Sequence, residues 1–430
     1  MGDSAFSFGR RHTLLALCVL AMFLAYTDRV NIAVAAVAMR AEFHWNQSVK
    51  GLVLAAFFVG YMLFQIAGGA LARRFGGKRV LAAAVAWWST FTLLTPFAAT
   101  VSVVALLAAR VGLGLGEGVV MPAAYELFSR WVPPSERGRS IARFLGGIPI
   151  GQIVGFMASA WLTAEYGWPS SFYLFGALGL AWAGLWLVAV ENDPADDARI
   201  GEAERRLLAT CVSARAASAP TPWRAFVGRA PVWGLVAAHF CHNWILYVLL
   251  SWLPSYFSES HRIGIASAGA YAAAPWAAYF LALQLAGSFG DGAIARGVRI
   301  VTVRRLATAG GLAGAALCLV LLRSVESANV ALALVCLAAF AIGFAASGVT
   351  AVPLDLSPRH APVLIGFSNT IASIPGIAGV AITGFLVDLT HSYAAAFVMS
   401  SLVGVSGAVL FIVLASDRPL EGPERPESAR

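Results

Sequence analysis

Four charges stand where the surrounding residues are apolar. Asp28 and Arg29 are adjacent within FLAYTDRVNIAVA (23–35), and Arg110 and Glu117 open and close RVGLGLGE (110–117). An unpaired charge at the centre of a bilayer costs at least ~2.5–3.5 kcal/mol on insertion scales, so each must reach a partner or a wet cavity. Neighbours on a helix point about 100° apart, so Asp28 and Arg29 serve different faces. Arg110 and Glu117 are seven residues apart, on one face and roughly 10 Å apart along the axis. Arg29 is permanently charged and presents a planar fork suited to carboxylate or phosphate. Asp28 and Glu117 can titrate, with burial and a nearby guanidinium pulling in opposite senses. An acid whose arginine partner comes and goes with conformation would bind and release a proton in each cycle. Together these residues could form an anion site and a proton switch. The structural alternative is two ion pairs, Asp28–Arg29 and Arg110–Glu117, that lock the first and fourth helices.

The elements that hold these charges are membrane helices. Of 430 residues, 59% are hydrophobic and 12% charged, against roughly 25% charged in soluble domains. A helix needs about 20 apolar residues to cross the hydrocarbon core. Such runs fall near 13–39, 50–72, 79–99, 102–127, 141–163, 171–190, 232–257, 267–290, 303–322, 329–351, 361–387 and 393–415. The reading is an all-α membrane protein of twelve transmembrane helices in two pseudo-symmetric six-helix bundles, with the lipid bilayer as its partner. The first run follows Arg10 and Arg11 like a signal peptide, but it is too long and is interrupted by Asp28 and Arg29, so it is read as a retained helix.

The net charge of +8 is spread over many short loops rather than one face, which argues against a nucleic-acid partner. With the N-terminus placed in the cytoplasm, only Arg40, Lys50, Arg262 and Arg323 fall in the outer loops. Arg29 and Arg110 lie within the membrane, and every other Lys and Arg falls on the cytoplasmic side. That asymmetry predicts cytoplasmic termini. Residues 191–230 are polar and charged and divide the runs six and six. The predicted organisation is an N-terminal bundle (1–190), a cytoplasmic linker with a surface helix (191–230), a C-terminal bundle (231–416) and a cytoplasmic tail (417–430). The five cysteines form no C-x-x-C pair, so no zinc site or disulfide framework is expected, and no cofactor. His239 and His242 around Cys241 are too few ligands for a metal. Lysine occurs only at Lys50 and Lys78; with the abundant alanine this points to a bacterial, high-GC source, and so to a plasma (bacterial inner) membrane.

The halves echo one another. GGALARRFGGKR (68–79) follows the second run and GSFGDGAIARG (287–297) the eighth; PPSERGRS (133–140) follows the fourth and DLSPRHAP (355–362) the tenth. Duplicated halves with matching loops indicate a transporter that works by alternating access. An enzyme would need a catalytic constellation or a large segment outside the membrane, and neither is present. Arg73, Lys78, Glu136, Arg137, Asp291 and Arg359 in these loops are the candidate gating charges. GLGLGEG resembles a phosphate loop only superficially, because no strand precedes it. Gly147, Gly151 and Gly155, four apart, would let helices approach closely.

YTDRVNIAVA (26–35), GLVLAAFFVGYMLFQIAGGALARRFGGKRVL (51–81), WWSTFTLLTPFA (87–98), RVGLGLGEGVVMPA (110–123), RWVPPSERGRS (130–140), HFCHNW (239–244), WLPSYF (252–257) and GFSNT (366–370) occur in order along nearly the whole chain. On these stretches the sequence resembles the major facilitator superfamily and, within it, the anion:cation symporter family. That group includes bacterial sugar-acid symporters, sialin-like and vesicular glutamate carriers, and plastid anion and phosphate transporters; HFCHNW and WWSTFTLLTP look most like the plastid branch. The resemblance implies proton-coupled symport of a small organic anion such as a sugar acid. The alternative is a sodium- or proton-coupled carrier of phosphate or another inorganic anion. The coupling ion would be H+ or Na+, and a monomer is expected. The resemblance assigns Arg29 to the substrate and Asp28 and Glu117 to protons, with Arg110 beside them. Tyr26, Tyr61, Gln152, Ser347 and Asn369 match positions that look substrate-lining. The family loop carries an aspartate where this chain has Arg73; the later copy keeps Asp291.

Overall fold

A computed structural model describes residues 9–212, 226–357, 360–416 and 420, and the regular elements among them are helical. In chain order they are α1 (Arg10–Glu42), α2 (Gln47–Phe75), α3 (Gly77–Val101), α4 (Val103–Glu117), α5 (Val120–Trp131), α6 (Arg137–Tyr166), α7 (Pro169–Ala189), α8 (Glu202–Val212), α9 (Ala230–Ser260), α10 (Ile265–Ala295), α11 (Ile300–Leu321), α12 (Ala328–Leu356), α13 (Ala361–Ile371), α14 (Ile374–Thr390) and α15 (Ala394–Leu414).

Eleven helical spans among the described residues are long and apolar enough to cross a membrane. The predicted eighth run, α10, is 31 residues long, about 46 Å of helix. It falls short on hydropathy because it is built of Ala, Gly, Ser and Tyr rather than Leu and Val. By length it supplies the twelfth span. Two predicted runs are split. The fourth breaks between α4 and α5 at Gly118, where glycine-rich sequence weakens the helix. The eleventh breaks at Ala372 and Ser373. Exposed large apolar side chains such as Val104, Leu306 and Val413 form the kind of surface that lipid covers.

The chain forms two compact units. The first comprises Met1–His44, Leu52–Ser218 and Ile265–Ala270, and the second Trp45–Gly51, Ala219–Gly264 and Tyr271–Arg430. In the first unit α6 lies along α1 through the predicted glycine stripe. A Cβ on Gly151 would stand 2.5 Å from the Phe23 carbonyl oxygen, and Thr27 Oγ1 donates to the Gly151 carbonyl at 3.2 Å. A second close approach joins α4 to α2, where a Cβ on Gly118 would lie 2.6 Å from the Tyr61 carbonyl. Small residues are what permit such backbone proximity. The indoles of Trp182 and Trp186 stack at 4.9 Å on α7 and donate to the carbonyls of Leu17 and Lys78. In the second unit Ser401 on α15 donates to the Ala316 carbonyl of α11 at 2.7 Å. Phe226, Leu235, Val349, Leu356 and Phe411 form a buried cluster at one end of that unit.

Candidate functional site

Side chains of α1, α2 and α4 meet around Arg29. Its Nη2 and Nε donate to Glu117 Oε2 at 2.9 and 3.3 Å. Both partners are buried, Arg29 7% and Glu117 2% exposed. Three aromatic rings face the guanidinium, with centroids 4.4 Å (Tyr26), 4.8 Å (Phe57) and 4.6 Å (Tyr61) from Cζ. Phe57 and Tyr61 stack on each other at 5.6 Å. Ring faces carry negative potential and stabilise a desolvated cation, so the planar charge is held in one orientation.

Arg29 therefore pairs with Glu117 rather than with its neighbour Asp28, and Glu117 pairs with Arg29 rather than with Arg110. This replaces both pairs of the structural alternative with one that crosses between α1 and α4. The reason is direction: Asp28 points off the α1 face that carries Arg29. Asp28 lies instead within electrostatic reach of Arg110 and Glu117. Arg110 is 1% exposed, with Cζ 5.6 Å from the Phe57 ring centroid. Asp28 Oδ1, Arg110 Nε and Nη1, and Glu117 Oε1 are buried without a hydrogen-bond partner among the described residues. Buried polar atoms are rarely left unsatisfied in folded proteins, and here four of them fall on three charged residues. That is a cluster suited to exchanging partners with water, protons or an anion.

Tyr26 and Tyr61 join this cluster, and Phe57 joins it without having been singled out. Gln152 is buried on α6, next to the Gly151 contact with α1. In the second unit Ser347 donates to the Phe344 carbonyl of its own helix at 2.9 Å. Asn369 sits half-buried on α13 just before the break, and its carbonyl accepts from Ser373 Oγ. His239 Nδ1 lies 3.2 Å from Ser368 Oγ, and His242 Nδ1 lies 3.0 Å from Asn243 Oδ1. Asn243 donates to the Ala372 carbonyl at the same break. Trp244 packs against Gly379.

The candidate gating charges divide. Glu136 pairs with Arg11 at 3.1 Å and Lys78 with Glu191 at 2.9 Å. Arg137 donates to the carbonyls of Val132 and Ser129 at the end of α5. Arg73 and Asp291 are exposed, with no ion pair among the described residues. Arg359 lies outside the described residues. Three groupings were missed. Arg304 pairs with Asp355 at 2.7 Å, within the quoted DLSPRHAP stretch. Arg10 pairs with Asp197 at 3.0 Å. Lys50, expected in an outer loop, is fully buried in α2 and pairs with Glu259 at 2.8 Å; a basic residue beside a run's edge reads as loop unless its acid partner is known.

Asp197 lies outside the spans. Burial alone would raise its carboxyl, but hydrogen bonds from the Arg199 side chain and backbone, and from Arg10, outweigh that and bring it down to about 2. The N-terminus of α1 also meets Glu204 of the linker, which accepts from the backbone N–H groups of Arg10 and Arg11 at 2.8 and 3.1 Å. In this unit the N-terminus, the loop after α5 and the linker thus share one face.

Comparison with known proteins gives the family and the fold. The Major Facilitator Superfamily model matches residues 18–380. The chain is 37% identical to "Sodium-dependent phosphate transport protein 1, chloroplastic" of Arabidopsis thaliana over 381 residues, covering 89% of this chain and 74% of that protein. It is also 37% identical to "Ascorbate transporter, chloroplastic" of the same plant over 383 residues, covering 89% and 70%. A solved structure of a D-xylose-proton symporter superposes with a TM-score of 0.75 at 14% identity, covering 94% of this chain and 98% of that one; this likeness concerns the fold. These relatives are transporters, not enzymes. The two plant relatives also correct one expectation: they are chloroplast proteins, which overturns the reading of a plasma (bacterial inner) membrane. Lysine scarcity reports genome composition, not compartment. The chain is a multi-pass membrane transporter and belongs to the Major Facilitator Superfamily, alongside its plastid anion and phosphate carriers.

Proposed function

We propose that this chain carries a small anion across a plastid membrane by alternating access, with inorganic phosphate ahead of organic carboxylates such as ascorbate or a sugar acid. Arg29 receives the anion and Glu117 couples its movement to a cation. The observation that carries this reading is the Arg29–Glu117 pair. It uses one carboxylate oxygen and leaves the other, Oε1, buried without a partner among the described residues. Protonating Glu117 removes the negative charge that compensates Arg29. The guanidinium charge then favours an incoming phosphate or carboxylate, which the planar fork can grip bidentately. When Glu117 loses its proton, the pair reforms and expels the anion. Asp28 and Arg110 hold the remaining charge balance. The plastid phosphate relative favours phosphate over the sugar-acid expectation, and the sodium dependence in its name makes Na+ the alternative coupling ion.

Uptake into proteoliposomes tests this. Labelled phosphate, ascorbate and a sugar acid are offered under a proton gradient, a sodium gradient, and with choline in place of sodium. Phosphate uptake is expected to saturate and to disappear in Arg29→Ala. Glu117→Gln should retain phosphate counterflow and lose gradient-driven accumulation. Accumulation against a gradient by Glu117→Gln would remove its coupling role, and uptake by Arg29→Ala would remove the anion site.

A further inference from the structure

A cavity of about 490 Å³ opens on the N-terminal face of the first unit, between the ends of α2, α3, α5 and α7. Five bases line it, Arg73, Arg74, Lys78, Arg79 and Arg130, against two acids, Glu191 and Asp196. Two of the bases are engaged: Lys78 with Glu191 at 2.9 Å, and Arg130 with Glu126 at 2.7 Å and Asp193 at 3.2 Å. Arg73 and Arg79 are exposed and form no ion pair among the described residues. The Arg74 guanidinium lies over the Phe75 ring at 5.2 Å. The volume falls within the range of small-ligand sites, and the surplus positive charge selects an anion.

The rim of the cavity decides which anion. Phe75 and Leu187 are each 51% exposed, at the ends of α2 and α7 where membrane helices leave the hydrocarbon. A soluble ion has no use for that apolar edge, whereas a lipid lays its acyl chains there. Basic pockets at this level of a bilayer suit anionic headgroups. We propose that this cavity binds the phosphate of an anionic phospholipid, gripped by Arg73 and Arg79, with Phe75 and Leu187 against the acyl chains. The corresponding loop of the second half carries Asp291 where this one has Arg73, so the site belongs to one half of the molecule. It does not depend on which anion is transported.

The full chain, purified in detergent, is titrated with phosphatidylglycerol, with phosphatidylcholine of the same acyl chains, and with inorganic phosphate. Bound lipid is counted by native mass spectrometry and thermal stability is followed in parallel. Phosphatidylglycerol should bind at least about tenfold more tightly than phosphatidylcholine. Arg79→Gln should weaken it about fivefold, as expected for one interfacial charge, and Arg73→Asp, which removes two units of charge, by more than that. Arg139→Gln, outside the cavity, should leave it unchanged. Equal binding of the two lipids would overturn the proposal, as would an undiminished preference in both cavity variants. Inorganic phosphate displacing the lipid at comparable concentration would make this a soluble-anion site and also overturn it. If a variant fails to fold, the wild-type preference and its loss at high salt decide alone.

Discussion

Lys50 places its ammonium 2.8 Å from Glu259 Oε1 and 2.9 Å from the Ser255 hydroxyl, with none of the lysine exposed. The other Glu259 oxygen accepts from Gln47 Nε2 at 2.6 Å and from the Tyr393 hydroxyl at 2.8 Å. The Trp252 ring lies 4.9 Å from the ammonium. Next to this group, Asp388 accepts from the backbone N–H groups of Gln47 and Ser48, so a carboxylate caps the positive end of α2. Removing one member of a buried pair leaves the other uncompensated and costs about 3–5 kcal/mol. Lys50→Met should therefore lower stability by about 3 kcal/mol. Adding Glu259→Gln should recover most of it, because the amide keeps its bonds to Gln47 and Tyr393. Unfolding midpoints of the two variants check this; a double variant no better than the single would show that the pair carries no such energy.

A different test uses two adjacent glycines of α6. A Cβ on Gly147 would lie 2.7 Å from the Val19 carbonyl, whereas one on Gly146 meets nothing within 4 Å. Overpacking a tight interface costs about 1–3 kcal/mol, and Gly→Ala in an open helix position stabilises by about 0.5–1 kcal/mol. Gly146→Ala should raise the melting temperature and Gly147→Ala should lower it. The same sign for both would contradict the close approach of α6 to α1.

The helices were legible because crossing hydrocarbon demands long apolar runs, and the charges in those runs stand out by type alone. The choice of partner was not legible. That Arg29 meets Glu117 rather than Asp28 depends on the rotation of α1 against α4, which packing among several helices sets and no single helix encodes. Phe57 gives no sequence signal, since an aromatic facing an arginine reads like any other apolar residue. Lys50 and Glu259 lie at the ends of their runs, where a buried pair and two solvated charges look alike. The hydropathy shortfall of α10 shows the reverse case: an alanine-rich span is weak by composition but long enough as a helix.

The linker's attachment should respond to acid. The Asp197 carboxyl titrates at about 2 against an ordinary value of 3.8, held down by Arg199 and Arg10 against its own burial. A depressed folded pKa contributes stability that is present above the unfolded value and is lost as pH falls through the folded one. The melting temperature should therefore show no pH dependence from this group between pH 5 and 8, where its stabilisation is fully present, and should fall between about pH 4 and 2. Asp197→Asn should melt lower at pH 7 and show a shallower fall in that acid window. An unchanged acid limb in the variant would assign the loss to other carboxyls.

The aromatic surround of Arg29 makes the last prediction. The ring faces of Tyr26, Phe57 and Tyr61 lie against the guanidinium, and the Tyr26 side chain also hydrogen-bonds it. A cation–π contact is worth about 0.5–2 kcal/mol, so deleting one ring should weaken apparent anion affinity by roughly 2- to 30-fold. Phe57→Leu keeps bulk and apolarity but removes the face, and it should fall within that range. Tyr61→Phe keeps the face and removes only the hydroxyl, and its KM for transported anion should stay within about twofold of wild type. Measuring both in the same proteoliposome assay separates orientation of the charge from simple packing. If Tyr61→Phe lost affinity and Phe57→Leu did not, the Tyr61 phenol would be touching the anion and the rings would be filler.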